Sequence, residues 1–193
     1  VFNAYREQYP EVELVLHAMN TAELRVALRD RSIDVAFARP GIQDPDIVSE
    51  VVQREPLIVA LPDTDVLAEQ SHIALADLAV RPFILYPRQP RPSFADHVLD
   101  LCRAEGFTPE IAQETLEIQT ALSLVSVGAG VSLVPESTSE AQLHGVAYRP
   151  LLGEEQETQL SLAYLRDNRS SVLGGFCALV RERTRSQIRP RGS

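Results

Sequence analysis

What the chain lacks narrows it before anything it contains. Its 193 residues include no lysine, so all 18 basic positions are arginine, set against 27 acidic ones and a formal net charge of −9. An acidic surface without a basic stripe repels phosphate backbones, so this chain by itself is expected not to bind nucleic acid. Only two cysteines occur, Cys102 and Cys177, each inside an amphipathic helical pattern. That excludes a disulfide framework and predicts reduced core thiols. No apolar run approaches the ~18–20 residues of a membrane span, and no basic-then-apolar leader precedes a cleavage site. Internal repeats and low-complexity tracts are missing as well. His17, His72, His97 and His144 are scattered, with no HxxxH or CxxC spacing to hold a metal. His97 and Cys102 lie five apart on one helix, about 140° around it, and cannot form a dyad there. No catalytic set, metal site or cofactor is expected.

What remains is ordinary globular material, 45 % hydrophobic and 23 % charged. The length suffices for one large core or two small lobes. Val1 is not an initiator methionine, and Phe2, Tyr5 and Arg6 read as the middle of an amphipathic helix, so the sequence reads as a piece of something longer. The terminal Arg191-Gly192-Ser193 reads as a cloning remnant.

The stretch from Glu117 to Glu136 organises the rest. Ile118, Leu122, Val125 and Ala129 share one helix face, each of the larger side chains adding roughly 1.5–3 kcal/mol if buried. Gly128 and Gly130 end that helix, and Val131-Ser-Leu-Val134 follows as a buried strand closed by Pro135. A phosphate loop has the opposite order, strand then glycines then helix, and carries a lysine or a third glycine missing here.

Along the chain, residues 1–9 predict a helix ended by Pro10. Val12, Leu14 and Leu16 alternate with polar residues and predict a strand. Asn20 and Glu23 form a capping-box pair ahead of a helix burying Leu24, Ala27 and Leu28. Ile33–Ala38 predicts a buried parallel strand, completing a βαβ unit. Pro40–Asp46 is a turn-rich loop in which Asp44 and Asp46 read as solvated turn residues. Strands are expected at Leu57–Leu61, Phe83–Tyr86, around Ile111, at Val146–Leu151 and at Leu160–Tyr164. A hinge is expected near Glu55-Pro56, because proline fixes the chain where one sheet hands over to another. Ser93 caps a helix burying Phe94, Val98, Leu101 and Cys102, with Gly106 at its end. The last helix, about 171–185, is expected to bury Val172, Phe176, Leu179 and Val180. The chain thus crosses near 55 and again near 155–159. That predicts two α/β lobes, 1–55 with 159–189 and 56–158, with a cleft between them of the kind that takes small ligands.

The helix–GAGxSLVP block resembles the effector-binding domains of LysR-type transcriptional regulators. Tyr9–Leu14, Ile33–Arg39 and Ile84–Phe94 match the same family in order. The last of these is similar to the subgroup responsive to muconate, chloromuconate or benzoate. The resemblance implies an α/β, two-lobed periplasmic-binding-protein-like (type 2) fold with an interlobe cleft. It implies a cytoplasmic sensor of a small carboxylate, homodimeric or of higher order, that reaches DNA only through an N-terminal winged helix-turn-helix and has no membrane role. It implies too that the first strand of the first lobe precedes these residues, and that residues 1–17 of one copy meet helix 92–105 of another. Tyr5, Tyr9 and Val15 are expected to be exposed on a lone copy, in keeping with that pairing.

Seven residues are candidates for the effector site. Thr21 stands beside a helix cap, where amides and a dipole suit a carboxylate, and the family places an effector-contacting threonine there. The plain structural alternative is a helix-start residue bonded to its own turn. Pro92, Ser93 and Phe94 open a second helix, holding another carboxylate or simply capping a core phenylalanine. Ile118 is a core residue with a family parallel in the pocket lining. Arg39 and Glu55 parallel an accessory effector site, or form an ordinary ion pair. The rivals are an extracytoplasmic solute-binding protein for a small anion and an enzyme on the same fold.

Overall fold

The structure is a computed structural model that describes residues 1–87, 89–153 and 156–187. Residues 188 and 189 of the expected first lobe, and the terminal Arg191-Gly192-Ser193, lie outside the described residues. The chain forms two compact units, Val1–Gln53 with the chain from Gln159 on, and Arg54–Thr158.

The first unit is built on helices α1 (Phe2–Gln8), α2 (Thr21–Arg29) and α5 (Ser171–Gln187), with strand β1 (Ala36–Ala38). Strand β2 (Ile47–Pro62) begins here and β7 (Glu157–Leu165) ends here. β1 pairs antiparallel with β7, Ala36 opposite Ala163 and Ala38 opposite Ser161. α2 starts at its capping box: Asn20 Oδ1 accepts the Ala22 and Glu23 amides, and the Glu23 carboxylate accepts the Asn20 amide. Leu24, Ala27 and Leu28 are buried as its period predicts. α1 and α5 meet through rings: Tyr5 stacks on Tyr9 at 4.6 Å and lies edge-on to Phe176 at 5.1 Å, and Phe2 and Phe37 also contact Phe176. The Tyr5 hydroxyl donates to the Val172 carbonyl.

Four expectations fail in this unit. Residues 12–16 form no strand. Alternation supplies a face but not a partner, and no strand among the described residues pairs with this segment. Val15 and Leu16 are accordingly about two-thirds exposed, at 64 % and 65 %. Without that strand there is no βαβ unit, and β1 is antiparallel instead of parallel. Tyr5, expected at the surface, is 1 % exposed, because α5 covers it. In α5 the buried set is Leu173, Phe176, Cys177 and Val180, while Val172 is 43 % exposed. One residue of offset is 100° of helix, enough to turn Val172 outward.

The second unit holds the other end of β2 between β5 (Ser132–Pro135) and β6 (Val146–Pro150), both antiparallel to it. β3 (Phe83–Leu85) and β4 (Ile111–Glu114) pair parallel. α3 (Phe94–Ala104) and α4 (Ile118–Ser126) complete the unit, with short 3-10 turns at Val66–Glu69, Leu75–Leu78 and Glu136–Ala141. Its core gathers Leu57, Val59 and Leu61 of β2 with Phe83, Leu85, Val98, Cys102 and Leu133. β2 runs unbroken through Pro56, where a hinge was expected. Pro56 is an exposed strand residue, and Glu55 before it is buried. Gly130 sits where a Cβ would meet the Pro82 carbonyl oxygen at 2.5 Å, so the turn after α4 has to be glycine.

Candidate functional site

Thr21 is the first residue of α2 and is 7 % exposed. Its hydroxyl donates to the Pro40 carbonyl at 3.1 Å, across nineteen residues of chain and not into its own turn. The helix start around it is already well supplied: Asn20 takes two amides, and the Glu23 carboxylate offsets the positive end of the helix. Any anion received here competes with the cap. Thr21 offers it a hydroxyl that must let go of Pro40 in order to donate.

Loop 40–46 is strapped to the same helix. Ile42 is buried with Leu24 and Leu28. The Asp44 side chain is only 2 % exposed and takes a 3.0 Å hydrogen bond from Arg29, whose other guanidinium nitrogen reaches Asp46 at 3.0 Å. Arg25 stands 3.9 Å from Asp44. Asp44 is therefore a buried ion-pair partner and not the solvated turn residue its flanking proline implied.

In the second unit Ser93 is fully buried at the start of α3. Its amide donates to Asp96 at 2.7 Å, and its hydroxyl donates to the Pro87 carbonyl at 3.2 Å. Phe94 is 4 % exposed, with its ring 5.3 Å from Tyr86, and Pro92 is exposed. Arg91 was not singled out by sequence. Its guanidinium binds Asp96 at 2.6 Å and Glu114 at 3.3 Å. It sets a partly buried cation beside the helix start. The proline-rich spacing gave the loop, but not which arginine turns inward. Ile118, the first residue of α4, is half-buried among Ile58, Leu122 and Val134.

Arg39 stands half-buried directly after β1, in the first unit. Glu55 is 6 % exposed in the second, where its carboxylate accepts the Ser137 amide at 2.9 Å and so caps the 3-10 turn at Glu136. That capping role had no sequence signal, because Ser137 lies 82 residues away.

A cavity of about 830 Å3 opens in the first unit, lined by Leu14, Leu24, Val35, Phe37, Leu173 and Phe176 among others. None of the seven candidates lines it. The titrations are structural in character. Hydrogen bonds from Arg181 hold the Glu50 carboxyl below its ordinary range, and burial raises the Tyr164 phenol that donates to Glu50. Burial pushes the Cys102 thiol up to about 11. Among the described residues no cluster of His, Cys, Asp or Glu is placed to hold a metal ion, and no helix is long and apolar enough to cross a membrane.

Comparison with known proteins places this arrangement. A family model described as the LysR substrate binding domain matches residues 1–185. The regulator CatR of Pseudomonas putida is 39 % identical over 90 % of this chain and 60 % of its own length. BenM of Acinetobacter baylyi is 32 % identical over 94 % of this chain and 60 % of its own. The chain thus spans about three-fifths of these curated relatives, both HTH-type transcriptional regulators and not enzymes. Among solved structures, the BenM effector-binding domain with its effector benzoate superposes with a TM-score of 0.85 at 31 % identity, covering 96 % of this chain and 85 % of that one. A BenM variant domain reaches 0.89, at 31 % identity and with 96 % and 87 % covered. The rival reading as a solute-binding protein finds no support among them. With one family matching almost end to end and the two-lobed, type 2 periplasmic-binding-protein-like α/β fold of its solved members, the chain belongs to the LysR substrate-binding domains, the effector-binding part of LysR-type transcriptional regulators.

Proposed function

We propose that this domain senses a small carboxylate metabolite of the muconate or benzoate kind. In a cytoplasmic, homodimeric or higher-order regulator, it would pass that signal to a separate DNA-binding part controlling transcription. The observation that carries the reading is the likeness to the BenM effector-binding domain, solved with benzoate, over 96 % of this chain. The residues support it in kind. A protein of net charge −9 without lysine draws its cation-like groups from helix starts and arginine forks. Thr21, Ser93 and Phe94 stand at such starts, with Pro92 and Ile118 as apolar contacts. Arg39 in the first unit and Glu55 in the second are each proposed as accessory effector contacts.

The test is calorimetric titration of cis,cis-muconate, chloromuconate and benzoate into wild type and Thr21→Val. Valine keeps the shape and removes the hydroxyl, so muconate affinity should fall by on the order of 1–2 kcal/mol, about five- to thirtyfold. Absence of binding by all three at millimolar concentration, or equal affinity of both proteins, would overturn this assignment.

A further inference from the structure

We infer that Arg29 is a positioning residue for the effector site, acting at a distance through loop 40–46; the inference rests on the role proposed above for Thr21. The geometry is a clasp along α2. At the far end of the helix, the two guanidinium nitrogens of Arg29 each hold one carboxylate, Asp44 at 3.0 Å and Asp46 at 3.0 Å. In the middle, Ile42 of the loop packs on Leu24 and Leu28. Beside it Gly41 has no room for a side chain, since a Cβ there would lie 2.8 Å from Ser161 Oγ and 3.1 Å from Ser49 Oγ. At the near end the loop's Pro40 carbonyl takes the Thr21 hydroxyl. A helix of nine residues is about 13 Å long. Its two ends are thus joined by one short loop with no slack at Gly41.

The Arg29 end does most to fix that loop, because Asp44 is the buried charge. Its side chain is 2 % exposed, and apart from Arg29 its nearest cation is Arg25 at 3.9 Å. Its other oxygen accepts the Asp46 amide at 3.0 Å. A buried carboxylate that loses its principal partner has to reach water. The loop can take it there only by lifting from α2. That movement carries Pro40 away from Thr21 and frees the hydroxyl to donate to an anion, so the intact clasp holds the site back. Arg29 is half-exposed and is the last residue of α2, eight positions from Thr21, so its part in the site is indirect.

The experiment uses the full chain in four forms: wild type, Arg29→Gln, Thr21→Val and the double variant, with Arg29→Lys as the conservative control. Two readouts are taken, cis,cis-muconate affinity by calorimetry and amide hydrogen exchange. In the wild-type background Arg29→Gln should tighten muconate binding by about three- to tenfold, and in the Thr21→Val background by less than twofold, since coupled residues fail to add. Arg29→Lys, which keeps the charge but not the fork, should show only part of that gain. Amides of residues 22–24 and 41–47 should lose protection in Arg29→Gln while the second unit keeps its own. An equal change of affinity in both backgrounds, or no gain in the wild-type background, overturns the inference. If wild type binds no muconate, the effector reading fails on its own, and the exchange data then decide the clasp. Unchanged protection at 22–24 in Arg29→Gln sinks it; lowered protection there upholds it.

Discussion

Gly130→Ala is the substitution whose cost can be worked most directly from the geometry. A Cβ at this position lies 2.5 Å from the Pro82 carbonyl oxygen, 3.1 Å from its carbon and 3.3 Å from Ile84 Cγ1. Ordinary contact begins near 3.5 Å, so the backbones must separate by about 0.5–1 Å. That gap is closed in the native protein by two hydrogen bonds, Val131 amide to Pro82 carbonyl and Ile84 amide to Val131 carbonyl, each 2.8 Å. Val131 and Ile84 are 1 % and 0 % exposed, so a stretched bond there is not replaced by water. Losing one such bond costs about 1–3 kcal/mol, and the overpacking adds about 1–3 kcal/mol. The total is on the order of 2–6 kcal/mol, or about 4–24 °C in Tm for a chain of this size. Gly128→Ala is the control. Its φ is +81°, but no atom lies within 4 Å of its would-be Cβ. Only the left-handed backbone cost applies, about 1–2 kcal/mol. Urea and thermal denaturation of both variants measure the difference. If Gly130→Ala loses no more than Gly128→Ala, the close approach has slack and the reasoning is wrong.

Two further predictions concern charge and thiols. Glu50→Gln removes a carboxylate held below its ordinary range by Arg181, so the stability at stake is present above about pH 4 and vanishes as the pH falls through the lowered folded value. The gap to wild type in urea unfolding should be at most about 1 kcal/mol at neutral pH, since the pair is partly exposed, and should close as the pH falls through that lowered value; a gap independent of pH would contradict it. Cys102 and Cys177 are both buried, with the Cys102 thiol pushed up to about 11. Iodoacetamide at pH 8 should leave both unmodified for hours in the native protein and label both in urea, and fast native labelling, read by mass spectrometry, would contradict the packing.

Local signals were legible and pairing signals were not. The Asn20–Glu23 box, the turn after α4 and the glycine at 106 are written within a few residues, and each stands where its sequence put it. The alternation of Val12, Leu14 and Leu16 is equally regular, yet a strand exists only where a second one lies alongside. The orientation of β1 likewise depends on β7, more than a hundred residues later. Pro56 shows the converse: a residue that stops a central strand is tolerated where its missing amide is not required. At the site, the helix starts carrying Thr21 and Ser93 could be read from the chain. The groups that engage them, the carbonyls of Pro40 and Pro87, could not, because backbone carbonyls have no sequence signature. Asp44 was missed for a related reason, its burial being decided by an arginine fifteen residues earlier.

The ring cluster of the first unit gives the protein an optical character of its own. There is no tryptophan, so absorption near 280 nm and the emission excited there come from five tyrosines. Tyr5 and Tyr9 are stacked at 4.6 Å, close enough for their transitions to couple and yield a near-ultraviolet dichroism band out of proportion to two phenols. Tyr164, hydrogen-bonded to the Glu50 carboxylate at 2.7 Å, is set up to be dim, because a carboxylate acceptor draws the excited phenol's proton. Tyr86 and Tyr148 belong to the other unit, the Tyr86 ring lying 5.3 Å from Phe94. Dichroism therefore follows the stacked pair of α1, while the emission of Tyr164 follows its hydrogen bond to Glu50, so a single unlabelled sample reports on two parts of the first unit through separate channels.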